Sequence, residues 1–433
     1  MAHCTDDIMN CNEAIEYIHS LEKFGIRPGL ERIGELCRAL GEPQKGLKII
    51  HVAGTNGKGS TSTIISCILQ KAGFNTGLFI SPYVSNFRER IQYNGGMIAP
   101  EELADCVSAV KNAVENDLAP RGIQPTEFEA ITAAAFVYFK RKGCDYAVLE
   151  VGLGGRFDST NIIDAPCVGV LTSISLDHMA VLGDTVEKIA FEKCGIIKPG
   201  SEIVAYPFQD EKAFDIIRKA CAEAGDRLTV PDIGKISVIS ESLYGTEAEY
   251  DGLRFELHLA GKHMVYNACT AIEAVRALHA DISDAAIAEG IAAAVMPARL
   301  ELISREPVIL LDGGHNEGCA EAVADFIGRH VAGRRIVMLA SLRADKDVDG
   351  YLSRVAPFAA EFIATRADVP RAMDAEALKE AAAEYCADCR AISSPAEALE
   401  YARSRVKNGE ALIVCGSFYL AGEIRDQMLD HNN

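Results

Sequence analysis

Residues 51–62, HVAGTNGKGSTS, contain a glycine-rich loop of the kind that binds nucleotide phosphates. The standard phosphate loop reads G-x-x-x-x-G-K-[ST], with the hydroxyl directly after the lysine. Here Gly57 and Lys58 are followed by Gly59, so the hydroxyl arrives one residue late, at Ser60. Glycines let several backbone N–H groups point at one anion, and the N-terminus of the next helix is positive. We interpret the loop as a nucleotide site with Lys58 on the terminal phosphates; the alternative is a glycine-rich turn with an exposed lysine.

Polar residues that follow two further apolar runs suggest a metal and substrate site. Glu150 lies at the carboxyl end of the run 145–151, and a carboxylate at the end of a parallel strand is a plausible magnesium ligand. The glycines after it do not form a dinucleotide fingerprint, because Phe157 occupies the third glycine position. We therefore expect them to form a loop over a substrate. His178 follows the run 167–174 and could ligate a metal, although a single histidine is more often a satisfied polar residue.

Two later clusters are read less directly from residue types. Lys193 falls late in a predicted helix, and the pattern alone predicts a surface lysine favoured by the helix C-terminus. Asp312, His315 and Asn316 follow another apolar run, and Gly313 and its neighbour allow close backbone approach. This second set predicts a polar site at the end of a strand.

The elements that must position these residues alternate between strands and helices. Capping-box signals start helices at Thr126, with Glu129 as the partner, and at Asp184, with Glu187 as the partner. These helices are predicted to run to about Lys142 and Cys194. The predicted buried strands are 47–53, 145–151 and 167–174. This alternation predicts an α/β fold with a P-loop-type doubly wound, mostly parallel sheet.

A second alternation follows Pro297 and predicts a second domain. Its predicted strands are 307–312, 335–341, 361–364 and 411–415, separated by alanine-rich helices. We place the domain boundary near residue 297, and we expect residues 298–433 to form a smaller Rossmann-like α/β domain. Residues 227–260 are predicted to be β-rich, as an insertion or as a sheet at the edge of the first domain.

Composition excludes several classes of function. The 433 residues carry a net charge of −19, which argues against a general nucleic-acid or anionic-membrane binder. The 14 cysteines are scattered singly apart from Cys386 and Cys389, which indicates thiols in a reducing compartment. A zinc site would need a second pair of ligands, which the sequence does not offer at the usual spacing. With no signal peptide and no long apolar run, we expect a cytoplasmic protein.

Taken together, these motifs resemble the folylpolyglutamate synthases, including the bifunctional dihydrofolate synthase form, within the Mur ligase superfamily. The resemblance runs nearly end to end and includes GTNGKGS, SPYVSNFRERIQYNG, TEFEAIT, EVGLGGRFDSTN, LDHMAVLGDTVEKIAFEKCGIIKPG, DGGHN and CGSFYLAGEIR. In this family the loop carries the extra glycine. The resemblance implies an ATP-driven ligase that forms an acyl phosphate on a dihydropteroate or reduced folate and then joins L-glutamate to it. It also implies that residues 1–297 bind ATP and the pterin or folate, and that residues 298–433 form the glutamate-ligase domain.

The resemblance also implies roles for individual residues. The catalytic residues it implies are Lys58, His178 and Lys193. The ATP-binding residues are Gly54, Thr55, Asn56, Gly57, Lys58, Gly59 and Ser60, with Asn267 near the adenine and Arg299, Asp312 and His315 from the hinge and second domain. The substrate-binding residues are Thr126, Phe128, Glu129, Gly154, Gly155 and Arg156, with Ser417 near the glutamate pocket. The ligands of two Mg²⁺ ions are Ser81, Glu150, His178 and Lys193, the last as a carbamate, which reverses the surface interpretation of that lysine.

The sequence departs from the family pattern at three places. Tyr83 replaces the histidine of SPH, Gly314 replaces the alanine of DGAHN, and Ala298 replaces the glycine of PGRLE. Two alternatives stay open at this point: another Mur-type ligase acting on a peptidoglycan precursor, and a nucleotide-dependent switch that performs no ligation. The expected partners are small molecules only, and the expected state is a monomer.

Overall fold

The computed structural model describes residues 9–25, 27–258 and 261–430. These residues form two compact units that interleave along the chain. The first unit contains the described residues up to Ser81, together with Phe87–Gly234 and Tyr266–Ile291. The second contains the described residues of Pro82–Asn86, Lys235–Val265 and Ala292–Asn433. The functional assignment of residues 1–297 and 298–433 stays a prediction.

The first unit is built on one eight-stranded sheet. Its strands are β1 (Ile49–Ala53), β2 (Thr76–Phe79), β3 (Ile91–Tyr93), β4 (Gly96–Met97), β5 (Tyr146–Glu150), β6 (Val168–Leu171), β7 (Glu202–Ala205) and β8 (Arg227–Thr229). They lie in the order β4-β3-β2-β5-β1-β6-β7-β8. The six strands from β2 to β8 in this order are parallel, and only β3 and β4 pair antiparallel. The central strands β1, β5 and β6 are buried along their whole length because helices cover both faces of such a sheet, as the alternation predicted.

Helices flank this sheet and place its loops. They are α1 (Cys11–Ser20), α2 (Glu31–Ala39), α3 (Lys58–Lys71), α4 (Pro100–Ala113), α5 (Glu127–Lys142), α6 (Met179–Leu182), α7 (Val186–Lys193), α8 (Glu211–Ala224), α9 (Lys262–Arg276) and α10 (Asp284–Ala293). The last two helices cross from one unit to the other along the chain. Helix α5 begins at the predicted capping box and ends at the predicted residue, so that prediction is confirmed.

The second predicted capping box is wrong by one residue. Thr185, and not Asp184, is the N-cap of α7, and its hydroxyl accepts a hydrogen bond from the Lys188 N–H at 3.3 Å. The Asp184 carboxylate instead accepts from the Lys188 ammonium at 2.8 Å. Thr185 has the extended backbone that an N-cap requires, so the hydroxyl of the second residue caps the helix.

A six-stranded sheet organises most of the second unit. The elements of this unit are β9 (Ile236–Ser242), β10 (Gly245–Tyr250), β11 (Leu253–Leu257), β12 (Glu301–Arg305), β13 (Val308–Leu311), β14 (Ile336–Ala340), β15 (Glu361–Ala364), β16 (Cys389–Ala391), β17 (Ala411–Cys415), α11 (Glu317–His330), α12 (Val348–Val355), α13 (Ala375–Ala382), α14 (Pro395–Ser404) and α15 (Phe418–Asp430). The six-stranded sheet has the order β12-β13-β17-β14-β15-β16, and only β12 is antiparallel to its neighbour. Apolar clusters fill both of its faces, which makes it a second, smaller α/β layer structure.

Residues 227–260 were expected as an insertion or as a sheet at the edge of the first domain, and the edge position holds only for β8, which ends the eight-stranded sheet. The strands β9, β10 and β11 form a separate antiparallel sheet within the second unit, and along the chain they are inserted between two segments of the first unit. The buried carboxylate of Glu241 on β9 pairs with Arg329 and lies 3.6 Å from His330, both on α11. These long-range contacts fix the small sheet to the second unit, and no local pattern in the sequence could reveal them.

Two whole-chain expectations have direct structural counterparts. Within the described residues no helix has both the length and the apolar character needed to cross a membrane. Every cysteine that the structure describes carries a free thiol, including Cys386 and Cys389.

Candidate nucleotide and substrate site

The glycine-rich loop joins the end of β1 to the start of α3. Gly57 is the N-cap of α3 in a left-handed conformation, with φ at +86°. The backbone N–H groups of Thr55 and Asn56 both donate to the Ser173 carbonyl oxygen, at 2.7 and 3.2 Å. The Thr55 hydroxyl also donates to the Ser175 carbonyl at 3.0 Å. The loop is therefore fixed to the segment that follows β6, and it has the strand–loop–helix context that a phosphate site requires.

Each of two loop glycines has a neighbour that excludes a side chain. A Cβ at Gly54, where φ is +156°, would lie 1.8 Å from the Thr172 hydroxyl. A Cβ at Gly57 would lie 2.6 Å from the side-chain oxygen of Asn267. The structure thus brings Asn267, which is 210 residues distant in the sequence, directly against the predicted phosphate loop.

Two lysines bind carbonyl oxygens of this same loop. The Lys58 ammonium donates to the Thr55 carbonyl at 3.1 Å, and the Lys193 ammonium donates to the Gly54 carbonyl at 2.6 Å. Lys193 is only 4% exposed. Burial, followed by the charge of Lys58, lowers the pKa of Lys193 to about 7, against smaller opposing effects of Asp177 and Asp158. A surface position for Lys193, which the residue pattern alone predicted, is therefore wrong.

Glu150 ends β5, between β1 and β2, with its carboxylate buried. One carboxylate oxygen accepts the Ser81 N–H at 2.9 Å. A Cβ at Gly59 would lie 3.4 Å from the same oxygen. The additional glycine of the loop therefore lies directly beside this carboxylate, at a distance where a Cβ would make an ordinary van der Waals contact. A buried carboxylate next to a phosphate loop fits the oxygen ligands that Mg²⁺ prefers.

His178 lies on the loop after β6 but is exposed. It is the N-cap of α6 in a left-handed conformation, with its side chain 46% exposed and its Nε2 3.9 Å from the Asp177 carboxylate. No group of three or more His, Cys, Asp or Glu side chains suited to a metal ion occurs in the part of the chain that the structure describes. The structure joins Ser81 to Glu150, whereas the membership of His178 in a magnesium site stays a prediction.

The two loops implied to flank the substrate meet each other. A Cβ at Gly152 would lie 2.5 Å from the ring of Phe128, and this ring lies 5.8 Å from that of Phe79. The Thr126 hydroxyl and the Glu129 carboxylate form the reciprocal capping box of α5. Phe128 is thus held between two capping residues and seated on a glycine of the opposite loop.

The second substrate loop is organised around Asp158. Its carboxylate accepts from the Leu153 N–H at 2.8 Å and from the Thr160 N–H at 3.0 Å, and burial raises the pKa of Asp158. Arg156 lies over the ring of Phe191 at 4.2 Å. The glycines of this loop are required where it is tightest. A Cβ at Gly155 would lie 2.8 Å from the Lys193 carbonyl oxygen, and Gly154 has φ of +71°.

In the second unit, the carboxylate of Asp312 is used for hydrogen bonds to backbone N–H groups. Its two carboxylate oxygens accept from the Leu300 N–H at 2.9 Å and from the Gly314 N–H at 2.8 Å. Burial raises the pKa of Asp312, and the nearby charge of Arg299 opposes this. The carboxylate therefore ties the 298–301 loop to the start of the next segment.

Phe418 gathers the other predicted residues of this unit. The Arg299 guanidinium lies 4.2 Å from the centre of its ring, and the His315 ring lies 6.1 Å from it in an edge-on arrangement. A Cβ at Gly313 would lie 2.3 Å from the same ring. The Ser417 hydroxyl accepts from the Leu420 N–H at 3.3 Å at the start of α15. Arg299, Asp312 and His315 are therefore neighbours, and their nucleotide role stays a prediction, as does the glutamate role of Ser417.

Two of the departures from the family pattern have local explanations. A Cβ at Gly314 would lie 2.5 Å from the Cβ of Cys319, so a glycine is required beside this cysteine. Ala298 has φ of +55°, a conformation that costs a residue with a side chain about 1–2 kcal/mol. Its methyl group is fully buried in the apolar cluster of the second unit, which offsets that cost. Nothing in the structure explains Tyr83.

Three residues that organise the site were not predicted from the sequence: Asp158, Phe418 and Arg32. Asp158 lies in the motif EVGLGGRFDSTN, and a carboxylate just after a glycine-rich loop indicates a residue that accepts hydrogen bonds from that loop. Phe418 follows Ser417 directly, but only its ring contacts reveal its role. Arg32 had no signal, because its partner Glu129 is 97 residues away.

Comparisons with known proteins agree with this geometry. The sequence profile of the Mur ligase middle domain matches residues 52–275. The profile of the Mur ligase glutamate ligase domain matches residues 298–418. Together these two profiles cover the phosphate loop, both substrate loops and the residues around Phe418.

Full-length relatives are also similar. The dihydrofolate synthase/folylpolyglutamate synthase of Bacillus subtilis is 37% identical over 96% of this chain and 98% of the relative. The folylpolyglutamate synthase of Lacticaseibacillus casei is 34% identical over 97% of this chain and 99% of the relative. The folylpolyglutamate synthase of Mycobacterium tuberculosis, solved with ADP and AMPPCP, matches with a TM-score of 0.88, 29% identity and coverage of 97% and 99%. Escherichia coli FolC in complex with DHPP and ADP matches with a TM-score of 0.88, 28% identity and coverage of 98% and 99%.

Proposed function

We propose roles for individual residues in joining L-glutamate to a folate. The premise is that the chain belongs to the Mur ligase superfamily and, within it, to the folylpolyglutamate and dihydrofolate synthases. The chain is an ATP-dependent ligase that forms an amide bond. The observation that carries the assignment of residues is the convergence of Lys58, Lys193, Glu150 and Asn267 on the loop of residues 54–59.

The reaction needs activation because oxide is a poor leaving group from a carboxylate. An oxygen of the folate or pteroate carboxylate attacks the γ-phosphorus of ATP, and the bond from that phosphorus to ADP breaks. The amino nitrogen of L-glutamate then attacks the acyl carbon of the acyl phosphate, loses a proton and expels inorganic phosphate. Protein groups accelerate these steps mainly by positioning the reactants and neutralising charge.

In the first unit the phosphate loop performs this positioning. Its N–H groups and the N-terminus of α3 are suited to the anionic phosphates, and Lys58 leaves the Thr55 carbonyl to reach them. Asn267, held against Gly57, is placed to contact the nucleotide. The ADP and AMPPCP complexes of the relatives support nucleotide binding by this chain, and we propose this loop as its site.

The magnesium requirement rests on Glu150. Ser81, which is hydrogen-bonded to that carboxylate, and His178 are the further ligands that we propose. A bound Mg²⁺ would supply neutralisation of the phosphate charge.

The amine of Lys193 is suited to carbamylation. Its pKa of about 7 leaves a substantial neutral fraction near neutral pH, and the neutral amine is the form that combines with CO₂. In this step the nitrogen bonds to the carbon of CO₂ and one proton is released. The carbamate would be an anion beside Lys58, whose positive charge disfavours the ammonium form but favours an anion. We propose that this carbamate contributes to a second magnesium site.

The acceptor lies beside the two loops that meet at Phe128 and Gly152. Aromatic rings stack well on flat heterocycles, so Phe128 is the residue that we propose to contact the pterin. Relatives named for one activity and for both activities are similarly close to this chain. We propose that the protein accepts dihydropteroate as well as reduced folates. A cytoplasmic location and a monomeric state stay predictions of the sequence.

The test is glutamate-dependent release of ADP, measured with dihydropteroate and, in parallel, with tetrahydrofolate, with Mg²⁺ present and with EDTA in its place. We expect ADP release that requires glutamate, acceptor and Mg²⁺, and a mass increase of one glutamyl residue in the product. ADP release that ignores glutamate would instead indicate a nucleotide switch. Activity only with a peptidoglycan precursor would overturn the folate assignment, and turnover with one acceptor alone would decide between one activity and two.

A further inference from the structure

We infer that Arg32, on α2 outside both substrate loops, is a positioning residue for the pterin-facing ring of Phe128. The pterin contact rests on the proposed function, whereas the structural link from Arg32 to Phe128 does not depend on it.

The link begins with an ion pair between α2 and α5. The Arg32 Nε donates to one carboxylate oxygen of Glu129 at 3.2 Å, and its Nη2 lies 3.0 Å from the other oxygen. Arg32 also donates to the Arg27 carbonyl, so the guanidinium is held from both sides. The side chain of Glu129 is only 2% exposed. Removing the cation partner of a buried carboxylate is strongly destabilising, so Arg32 holds the Glu129 side chain in place.

Glu129 in turn sets the start of α5. Its carboxylate accepts the Thr126 N–H at 2.7 Å, and the Thr126 hydroxyl accepts the Glu129 N–H at 3.3 Å. Phe128 lies between these two residues in the sequence, so the capping box fixes the backbone from which its ring projects. That ring has little freedom, because it is packed against Gly152 on one side and the ring of Phe79 on another.

A second basic side chain, from α1, contacts the other glutamate of the TEFE segment. His19 on α1 lies 3.4 Å from the carboxylate of Glu127. The two glutamates that flank Phe128 in TEFE are thus each paired with a basic side chain of the N-terminal helices. Their carboxylates are engaged by the protein, which leaves the aromatic residue between them as the substrate contact of this loop.

The experiment compares Arg32→Ala and Arg32→Lys with Arg38→Ala in the full-length enzyme. Arg38 lies on the same helix and pairs with Glu35, but it is 63% exposed and has no link to TEFE. We expect Arg32→Ala to raise the KM for dihydropteroate by about tenfold to a hundredfold, the loss typical of a misplaced binding group. The KM for ATP and the melting temperature relative to Arg38→Ala serve as the readouts of general damage.

The measured KM values decide whether the inference stands. An unchanged KM for the pteroate in Arg32→Ala, or an equal rise in the KM for ATP, would overturn the inference. If Arg32→Ala does not fold, Arg32→Lys carries the test, since it keeps the charge but loses the two-point contact and should raise the same KM. Glu129→Gln combined with Arg32→Ala should add little to either single change, because both act through one pair. Failure of the parent enzyme to ligate glutamate would count against the proposed function and not against this link.

Discussion

Replacing Lys193 by methionine should remove a buried charge while nearly preserving the volume of the side chain. Burial and the charge of Lys58 lower the pKa of Lys193 from 10.5 to about 7. This difference corresponds to about 5 kcal/mol that disfavours the charged amine in the folded protein, at about 1.4 kcal/mol for each pKa unit. Methionine carries no charge at any pH, so the variant avoids this cost.

The sign of the pH dependence follows from which state holds the proton. Between pH 7 and 10.5 the unfolded chain keeps the Lys193 proton and the folded chain has released it. The free energy of unfolding of the parent protein therefore rises with pH across this window, and below pH 7 the full cost of the charge is present. Between about pH 7.5 and about pH 9.5 the expected rise in the free energy of unfolding, relative to the methionine variant, is about 2–3 kcal/mol.

The assay is urea unfolding at several pH values in buffers freed of CO₂. Far-UV circular dichroism is the suitable signal, because the chain contains no tryptophan. Lys188→Met is the matched control: Lys188 lies on the same helix but at an exposed position, paired with Asp184. The control should follow the parent protein above pH 7, whereas Lys193→Met should lack the rise.

Parallel stability curves for the parent and Lys193→Met would refute the claim that the ammonium is buried at a cost. Bicarbonate then tests the carbamate separately. Since a group bound only in the folded state stabilises that state, bicarbonate should stabilise the parent protein and leave Lys193→Met unchanged. An equal effect on both proteins would count against carbamylation at this lysine.

Two further predictions concern the phosphate loop. Gly57→Ala should weaken ATP binding by tenfold or more, since a left-handed alanine costs about 1–2 kcal/mol and its Cβ would meet Asn267; Gly73→Ala, with φ of +90° and open space, is the matched control for calorimetric titration. Lys58→Ala should lower the rate of ADP release by about 10²- to 10³-fold without changing the circular dichroism spectrum. Normal turnover in this variant would contradict the assignment of the loop.

Local patterns in the sequence were sufficient to predict the start of α5 and the glycine-rich loop between β1 and α3. The capping box at Thr126 and Glu129 and the strand–loop–helix around Gly57 appear in the structure where the residues predicted them. Both are interactions among residues a few positions apart, so their geometry is encoded in a short stretch of chain. The parallel sheet was predictable for the related reason that continuous apolar runs between helices must be covered on both faces.

Tertiary structure alone decided the features that depend on distant partners. Lys193 is buried because its carbonyl group lies against Gly155 and its ammonium group donates to the Gly54 carbonyl. The apolar pattern of α7 does not indicate either contact. The small sheet of residues 236–257 belongs to the second unit because Glu241 finds its partners on α11. The sequence specifies which groups can be charged, which can cap a helix and which are apolar. Contacts between remote segments decide which of these groups are buried and which charged side chains form pairs.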